Sequence, residues 1–292
     1  MLHKFSESWC SLAQRSWPAH VINPKFVILK FENRSSRVKH ILIIGIGAGN
    51  PDYLTLQAID ALRRADVFFV MDKGAVKEKL IVLRRKIIER HAGQRTWRIV
   101  ETASPKRGPD GESYVGAVER LNYEKQQVFE RLISEELRDG ECGAFLIWGD
   151  PALYDSTMRI VASIDAGGHY DFEYEVIPGI SSVQALAARH RIALNEIGRA
   201  VEIVNGRGLD VHLPEGVDSV VVMLDTHNAF ERIEDDVDIY WGAYIGTTEE
   251  ILVAGRLAEV KREIARVRAE ARASHGWIMD TYLLKKRERA QG

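Results

Sequence analysis

The sequence predicts an α/β protein built from two α/β domains. Its 292 residues are enough for about two domains, and 46% of them are hydrophobic, as in proteins with a substantial core. Short apolar runs recur along the chain, with helical stretches between them. The first run, HILIIGIG at 40–47, is continuously apolar and ends in glycine, which is typical of a buried parallel strand.

The first half of the chain alternates between strands and helices. Pro51 and Asp52 predict the start of a helix that continues through Arg64. Strands are predicted at 66–72 and 143–150, with charged helical stretches at 76–91 and 113–138. This alternation indicates a mostly parallel sheet that is covered by helices on both faces.

The pattern restarts after Pro151 and indicates a second α/β domain. Helices are predicted at 180–190 and 256–273, and strands at 172–179, 201–204, 219–224, 238–246, 251–254 and 277–284. The domain boundary is predicted near Tyr154, which gives domains at 40–153 and 154–292. Because two domains joined by a short connection leave a cleft, we expect the active site between them.

Residues 1–39 form a basic N-terminal extension that contains seven Lys/Arg and two Asp/Glu. The extension has no clear apolar period and is predicted to be disordered. Val38 precedes the first strong strand, so we hypothesise that native translation starts near this residue. A peptide from residues 1–37, detected in the native protein by mass spectrometry, would contradict that hypothesis.

Charge and cysteine content narrow the class of protein. The net charge is −2 and the extension carries +5, so residues 40–292 carry −7, and nucleic acid is not an expected partner. Cys10 and Cys142 lie far apart without a disulfide or metal-binding pattern. No apolar run approaches the roughly 18 residues of a membrane span, and no signal peptide is evident. We therefore expect a soluble cytoplasmic protein without a metal site.

Gly45, Gly47 and Gly49 form a glycine-rich loop after the first strand. The context is that of a dinucleotide-binding loop, but the third glycine follows the second too closely for the usual fingerprint. N–H groups at a helix start attract carboxylates as readily as phosphates. The residues by themselves leave three interpretations open: a nucleotide site, a site for another anion, or a structural turn.

Several segments, in order and spacing, resemble the tetrapyrrole (precorrin) methylase family. They are GIGAGNPDYLTLQA, WGDPALYDS at 148–156, VIPGISSVQALAARH at 176–190, and the pair YIGTTEE and GRLAEV. The resemblance covers about residues 40–285 and implies two α/β domains and S-adenosylmethionine as methyl donor. The stretches ADVFFVMDKG, FLIWGDPALYDST, RHRIALNEIG and GWIMDTYLL resemble the members that methylate and deacetylate precorrin-5.

The resemblance implies a donor site in the interdomain cleft that is held largely by backbone groups. Carried over onto this sequence, the donor contacts are Trp148, Gly149, Asp150, Leu153, Ser181, Ser182, Met223 and Gly246. Glycine lets the main chain approach a ligand, Asp150 can pair with an ammonium group, and Met223 offers a polarizable surface for adenine. Ala48 stands where many relatives have proline, which leaves its contact open.

Each of these motifs also has a structural interpretation. Residues 149–151 are typical of a turn, Ser181 is typical of a helix N-cap, and Met223 lies in a strand of core type. Their joint occurrence at the ends of successive strands favours ligand binding, because α/β folds bind ligands there.

The same resemblance implies that the glycine-rich loop binds the tetrapyrrole substrate. The implied substrate-binding residues are Gly45, Gly47, Gly49 and Asp52. N–H groups at a helix start suit a ring that bears many carboxylates. The implied reaction is methylation of precorrin-5 at ring carbon 1 with release of acetate, by a homodimer.

Asp72 is the implied catalytic residue. Acetate release requires water to attack a ketone, and a carboxylate base would assist that attack. Asp72 ends the second predicted strand and matches, within a one-residue gap, an aspartate of uroporphyrinogen-methylating relatives. Capping of the next turn is the alternative. Methyl transfer itself needs mainly donor and acceptor held in line at about 3–3.5 Å.

Other functions compete with this interpretation. Within the family, diphthine and ribosomal RNA methylases share the donor site, although the charge of −7 argues against RNA. Outside it, a nicotinamide-dependent oxidoreductase would use the glycine-rich loop with Asp66 or Asp72 on the ribose. A nonenzymatic small-molecule sensor is the third class. Binding of S-adenosylhomocysteine, with none of NADH, would favour the methylase.

Overall fold

The computed structural model describes residues 38–72, 78–105 and 114–287, which form two five-stranded sheets and confirm the predicted α/β class. The extension predicted at 1–39 lies outside these residues, except that Lys39 already begins the first strand. The first sheet contains β1 (Lys39–Gly45), β2 (Val67–Asp72), β3 (Arg98–Ala103), β4 (Cys142–Ile147) and β5 (Phe172–Ile177). Its helices are α1 (Leu56–Arg64), α2 (Glu78–His91), α3 (Tyr114–Arg131) and α4 (Thr157–Gly167).

The second sheet follows in the chain. Its strands are β6 (Ala200–Asn205), β7 (Val217–Met223), β8 (Val237–Ala243), β9 (Ile251–Arg256) and β10 (Asp280–Lys286), and its helices are α5 (Ser182–His190) and α6 (Leu257–His275). Short 3-10 turns lie at Pro51–Tyr53 and Ala229–Arg232, and a π-helical turn at Leu132–Glu136 follows α3. No helix within the described ranges is long and apolar enough to cross a membrane.

All neighbouring strands of the first sheet run parallel, in the order β3-β2-β4-β1-β5. Side chains of β1 alternate between two cores. Leu42 and Ile44 pack with α1 and α2, whereas Ile41 and Ile43 pack with α3 and α4. Because both faces of the strand are covered at Ile41–Ile44, these positions must be apolar, which explains the continuous apolar run.

The second sheet is mixed, with the order β6-β7-β10-β8-β9. β6 and β7 pair in parallel, whereas the β7–β10, β10–β8 and β8–β9 pairs are antiparallel. The prediction of a mostly parallel sheet is therefore right for the first sheet and wrong for this one. The connection from β8 to β9 spans residues 244–250, and a parallel crossover needs a dozen or more residues.

The boundary predicted near Tyr154 needs correction, because it falls within the elements of the first sheet. β5 follows that position and pairs with β1 along its whole length. The change between sheets therefore comes after Ile177. We call the described residues up to Ile177 the first half and those after it the second half.

Three local assignments also differ from the sequence interpretation. The helix predicted from Pro51 begins instead at Leu56, where the Thr55 hydroxyl accepts a hydrogen bond from the Ala58 N–H at 3.0 Å. β3 was not predicted, since this edge strand, RIVETA, contains two charged residues and lacks a long apolar run. α4 was not predicted either, because it directly follows the turn at which the sequence predicts the domain boundary.

Candidate active site

The carboxyl end of β4 lies where an open parallel sheet binds ligands. β4 lies between β2 and β1. The helices after β2 and β1 pack on one face of the sheet, and the helix after β4 packs on the other. The crevices on both sides of β4 are therefore topological switch points, where α/β folds bind ligands. The predicted motif at 148–151 leaves the sheet at this point.

The glycine-rich loop and the loop after β4 are bonded to each other. The Gly149 N–H donates to the Gly47 carbonyl at 2.8 Å, and the Gly47 N–H donates back at 3.3 Å. Gly45 packs against a third glycine, because a Cβ on Gly45 would lie 2.6 Å from the backbone nitrogen of Gly179. These glycines bring three chain segments into backbone contact, a structural role beside any ligand contact.

Asp150 holds two of these segments together. One carboxylate oxygen accepts from the Ala152 N–H at 2.8 Å, and the other accepts from the Gly179 N–H at 2.8 Å. The carboxylate therefore closes its own turn and joins that turn to the end of β5. A second role, as partner of an ammonium group, stays a prediction.

Ser181 and Ser182 lie at the start of α5. Ser181 is buried and caps the helix, since its hydroxyl accepts from the Val183 N–H at 3.1 Å and donates to Gln184. The Ser182 hydroxyl lies 2.9 Å from the hydroxyl of Thr281 in β10. The capping interpretation of Ser181 is confirmed, and Ser182 connects α5 to the second sheet.

Leu153 and Met223 lie on one hydrophobic cluster that both halves build. Its buried members are Ala48, Val183, Ala185, Leu186, Val221, Ile245 and Leu283, and Leu153 and Met223 pack against them. The predicted donor residues after β4 and at the end of β7 are thus brought to the same interface between the halves.

Gly49 and Gly246 lie at a second backbone contact between the glycine-rich loop and the second half. A Cβ on Gly49 would lie 2.6 Å from the Ile245 carbonyl oxygen, and one on Gly246 would lie 2.8 Å from the Asn50 nitrogen. Both glycines have positive φ, +126° and +81°. Glu250 fixes this turn by accepting from the Gly246 N–H at 2.8 Å.

A cavity of about 590 Å³ lies between the halves, a volume in the range of small-molecule sites. The predicted residues on its wall are Trp148, Gly246 and Gly49. The other wall residues are Pro51, Leu80, Val82, Leu83, Lys86, Tyr244, Thr247, Thr248, Glu249, His275, Trp277 and Met279. The cavity thus brings together residues assigned to the donor and to the substrate.

Trp148 contributes a polar group that the fold does not use. Its ring packs against the core that α1 and α2 cover. Its Nε1 atom is buried and has no hydrogen-bond partner among the described residues. His91 Nε2, Ser219 Oγ and Asn228 Oδ1 are buried without a partner in the same way among the described residues.

Two cationic side chains lie beside the carboxyl end of β4. Arg84 of α2 donates from Nε to the Leu146 carbonyl and from Nη1 to the Leu80 carbonyl, both at 3.2 Å. Burial lowers the pKa of Arg84 to about 10, and the charge of Asp155 partly opposes this effect. The guanidinium thus remains charged at neutral pH.

Lys125 of α3 approaches from the other face of the sheet. Its ammonium group donates to the Ser156 hydroxyl at 3.2 Å. Burial lowers the pKa of Lys125, again against the charge of Asp155. Two cations, Arg84 and Lys125, and two carboxylates, Asp150 and Asp155, therefore lie near this end of the strand, so that these charges balance.

The remaining predicted residues lie further out. Asp72 ends β2, where its backbone pairs with Ala103 of β3, and its side chain lies outside the described part. Asp52 is exposed, its carboxylate lies 3.5 Å from a guanidinium nitrogen of Arg90, and it is not on the cavity wall. Nowhere in the described ranges do three His, Cys, Asp or Glu side chains form a group that could hold a metal ion.

Sequence reasoning missed most of the cavity wall. Leu80, Leu83 and Lys86 follow from the position of α2, and Tyr244 and Trp277 follow from the two loops of the second half. Tyr244 precedes Gly246 by two residues, so the motif could have indicated it. The α2 residues carry no motif, and a helical stripe of leucines is ordinarily core.

The fold and this site define a two-sheet α/β protein with a ligand cavity between its halves. A family model, Tetrapyrrole (Corrin/Porphyrin) Methylases, matches residues 40–261. The chain belongs to this family. The expected family membership is thus confirmed, and with it the class of methyltransferase.

This chain covers nearly the whole length of two relatives. The precorrin-6A synthase [deacetylating] of Sinorhizobium sp is 52% identical over 250 residues, which are 85% of this chain and 96% of that protein. A crystal structure from Corynebacterium diphtheriae, described as related to cobalamin synthesis (CobF), has 36% identity and a TM-score of 0.72 and covers 85% of this chain and 99% of the other.

A more distant structure shares the fold. The uroporphyrin-III-C-methyltransferase of Thermus thermophilus has 20% identity and a TM-score of 0.52, over 85% of this chain and 92% of that one. At this identity the likeness concerns the fold alone.

Proposed function

We propose that this chain is an S-adenosylmethionine-dependent C-methyltransferase of cobalamin biosynthesis. It methylates precorrin-5 at ring carbon 1 and releases acetate, giving precorrin-6A. The observation that carries the proposal is the 52% identity to the Sinorhizobium precorrin-6A synthase [deacetylating] over 96% of that protein. The cavity between the halves supports it, because methyl transfer requires two ligands side by side.

The residues at the end of β4 suit the methyl donor. Gly149 is buried and has a φ of +72°, and a Cβ there would meet Ser181 at 3.6 Å, so the positive φ and not crowding is what favours glycine at this position. The proposed donor contacts are Trp148, Gly149, Asp150, Leu153, Ser181, Ser182, Met223 and Gly246. S-adenosylmethionine supplies a methyl group that is made electrophilic by its sulfonium.

The protein contributes to methyl transfer chiefly by positioning the donor and the acceptor and by excluding water. The contact of Gly49 with Gly246 connects the substrate-assigned loop to a donor-assigned turn. Holding donor and acceptor in line lowers the free-energy barrier to such a transfer by a large part. Gly45, Gly47, Gly49 and Asp52 remain the proposed substrate contacts, with Gly49 on the wall of the cavity.

Asp72 is the proposed base for acetate release. It ends β2, one of the strands beside β4, at the carboxyl edge of the sheet. A base there would take a proton from the water that attacks the ketone; the carbon–carbon bond between the acetyl group and the ring then breaks, its electron pair stays on the ring, and the oxygen of that water leaves in acetate. The reaction is thereby divided between positioning for methyl transfer and proton transfer for deacetylation.

The direct test is incubation with precorrin-5 and methyl-labelled S-adenosylmethionine, with assays for labelled product and free acetate. We expect equal amounts of both. Label without acetate would contradict the deacetylating step. Neither product, despite calorimetric binding of S-adenosylhomocysteine, would assign the chain another methyl acceptor. Binding of NADH in place of S-adenosylhomocysteine would overturn the proposal altogether.

Asp72→Asn tests the base separately. We expect acetate release to fall by about 10²–10⁴-fold while binding of S-adenosylhomocysteine is unchanged. Asp60→Asn is the matched control, since Asp60 is an exposed carboxylate on α1. Wild-type rates for both products in Asp72→Asn would exclude the role.

The proposal includes a cytoplasmic homodimer, the state that the family resemblance implies. Sedimentation equilibrium of the purified protein tests the dimer, because the mass of one chain is 33.0 kDa. A species of that mass at micromolar concentration would contradict it.

A further inference from the structure

Helix α2 presents one of its faces to the cavity between the halves. Val82 and Lys86 lie one helical turn apart on the cavity wall, and both are exposed, although Val82 is apolar. Ile87 and Ile88, by contrast, are buried in the core that α1 and α2 cover. α2 therefore uses one face for the core and leaves another face to the cavity.

Lys86 differs from the other cations of this helix. Of the Arg and Lys side chains of α2 that the structure describes, Arg84 donates to backbone carbonyls, and Arg85 and Arg90 each pair with a carboxylate. No hydrogen bond or ion pair joins Lys86 to a described residue. An ammonium group has three donors and no acceptor capacity, so Lys86 suits an anionic group inside the cavity.

Three aromatic rings line the part of the cavity that the second half contributes. Tyr244 contacts His275 and Trp277 edge to face, with ring centroids 5.1 and 5.4 Å apart. The Tyr244 hydroxyl also donates to the Trp277 carbonyl. The rings thus fix one another in place, and aromatic faces and edges at a cavity wall favour a flat conjugated ligand.

Glu249 is the carboxylate on the described part of this wall. It accepts from the Thr248 hydroxyl at 2.9 Å and does not pair with Lys86. A ligand that bears carboxylates is therefore attracted to the α2 side of the cavity and repelled from the Glu249 side. Such a charge pattern orients a ligand as well as binding it.

We propose that the Lys86 ammonium group binds a side-chain carboxylate of the tetrapyrrole, with the ring of that substrate against Tyr244 and Trp277. This inference rests on the proposed function and sharpens it, because it adds a side chain of α2 to the substrate contacts. The methyl donor also carries a carboxylate. The tetrapyrrole is favoured because Gly49 and Pro51, on the same wall, belong to the loop assigned to the substrate.

Lys86→Gln removes the charge and keeps a flexible polar side chain. We expect the KM for precorrin-5 to rise about ten-fold, as for loss of one hydrogen bond between charged groups. The dissociation constant of S-adenosylhomocysteine, measured by calorimetry, should stay at the wild-type value. An unchanged KM would overturn the inference. A rise confined to S-adenosylhomocysteine would overturn it too, since it would assign Lys86 to the donor.

Two further variants separate a contact from a general effect of charge. Lys86→Arg retains a cation and should keep the KM near the wild-type value. Arg262→Gln removes an exposed cation of α6 that is not on the cavity wall, so it should leave the KM unchanged. Equal rises for Arg262→Gln and Lys86→Gln would refute a contact. Because Lys and Gln have similar helix propensities, the urea midpoint should be the same in all of these proteins.

Ionic strength provides a readout that a packing role would not change. The wild-type KM for precorrin-5 should rise with added sodium chloride, because salt screens an exposed ion pair. Lys86→Gln should show a weaker dependence on salt. Equal dependence in the two proteins would contradict the ion pair.

Failure of the proposed function gives a different result. If the wild type binds S-adenosylhomocysteine but converts no precorrin-5, it is the proposed function that fails. Binding of uroporphyrin III, a stable tetrapyrrole that bears many carboxylates, then tests Lys86 directly by quenching of tryptophan fluorescence. Weaker binding to Lys86→Gln than to Arg262→Gln would support the inference, and equal binding would overturn it.

Discussion

At the scale of single residues, three glycines explain how the loops of the site are held together. Gly45, Gly149 and Gly179 belong to three separate segments, and Asp150 accepts from the Gly179 N–H. A Cβ on Gly45 or Gly179 would displace backbone, whereas one on Gly149 would meet nothing nearer than 3.6 Å. The absence of a Cβ on Gly45 and Gly179 is therefore a packing requirement whether or not a ligand is bound.

Gly179→Ala tests this requirement. The added Cβ would lie against the carbonyl oxygen of Gly149 and 2.8 Å from the carbonyl carbon of Gly45, and backbone atoms have little room to shift. We expect a loss of stability of about 1–3 kcal/mol or more by urea denaturation, with loss of S-adenosylhomocysteine binding. Gly167→Ala at the end of α4, where the nearest atom is 3.5 Å away, should be neutral. Wild-type stability of Gly179→Ala would refute the packing argument.

A buried ion pair acts at the same scale beneath the second sheet. Arg268 of α6 donates to Asp280 at 2.8 Å, and its other end donates to the Asp225 carbonyl. The side chains of Arg268 and Asp280 are only 7% and 3% exposed. Burial raises the pKa of Asp280, against the pull of Arg268 and the Trp241 N–H. The pair thereby fixes the loop that follows Met223.

Arg268→Met would leave the Asp280 carboxylate buried without its cation. We expect a loss of about 3–5 kcal/mol in the free energy of unfolding, measured by urea denaturation. Arg266→Met on the same helix is the control, because Arg266 pairs with exposed Glu263 and Glu270 and its loss should have little effect. Equal effects of the two substitutions would show that the buried pair adds nothing.

At the scale of elements, Glu141 ties two strands of the first sheet at their amino ends. Its carboxylate accepts from both terminal nitrogens of Arg98, at 2.8 and 2.7 Å. Arg98 begins β3 and Glu141 precedes β4, and the two strands flank β2. The Arg98 hydrogen bonds lower the pKa of Glu141 to about 2, from an ordinary value of 4.5.

The lowered pKa of Glu141 predicts that the protein loses stability in acid. Because the folded pKa lies below the unfolded one, the pair stabilises the fold fully above pH 4.5 and loses that contribution as pH falls toward 2. We expect Glu141→Gln to cost about 1 kcal/mol at pH 7, where the partly exposed pair is screened by solvent, and progressively less below pH 4.5. Glu89→Gln on α2 controls for the change in net charge. A difference in unfolding free energy that does not vary with pH would contradict the prediction.

At the scale of the whole molecule, the two halves share a core. Ala48 of the glycine-rich loop, Val183 of α5 and Leu283 of β10 belong to one buried cluster. Gly49 and Gly246 add backbone contact between the halves. Neither half keeps this surface buried when the other unfolds, so the two should be thermodynamically coupled.

We therefore expect a single cooperative transition in urea. Trp97 lies in the first half and Trp241 in the second, so variants that keep only one of these tryptophans report the unfolding of one half by fluorescence. Both fluorescence signals and far-ultraviolet circular dichroism should give the same urea midpoint. Separate midpoints would mean that the shared cluster does not couple the halves.

The sequence by itself determined the elements that short-range physics controls. The part of β1 at Ile41–Ile44 is continuously apolar because both of its faces are covered, and such a run is enough to predict a buried strand. α6 follows from its apolar stripe, and the Ser181 cap follows from residue type. The motifs indicated the family by their order and spacing, and their positions at strand ends favoured ligand binding.

Only the tertiary structure decided how these pieces meet. That β5 belongs with β1, that β10 lies between β7 and β8, and that Asp150 is bonded to Gly179 depend on contacts between distant parts of the chain. The same holds for the cavity, whose α2 wall carries no motif. Local pattern records which face of an element is apolar, whereas the partner of that face is chosen by packing of the whole chain. Trp148 shows the difference most clearly, because its place in the motif was readable and its unpaired N–H was not.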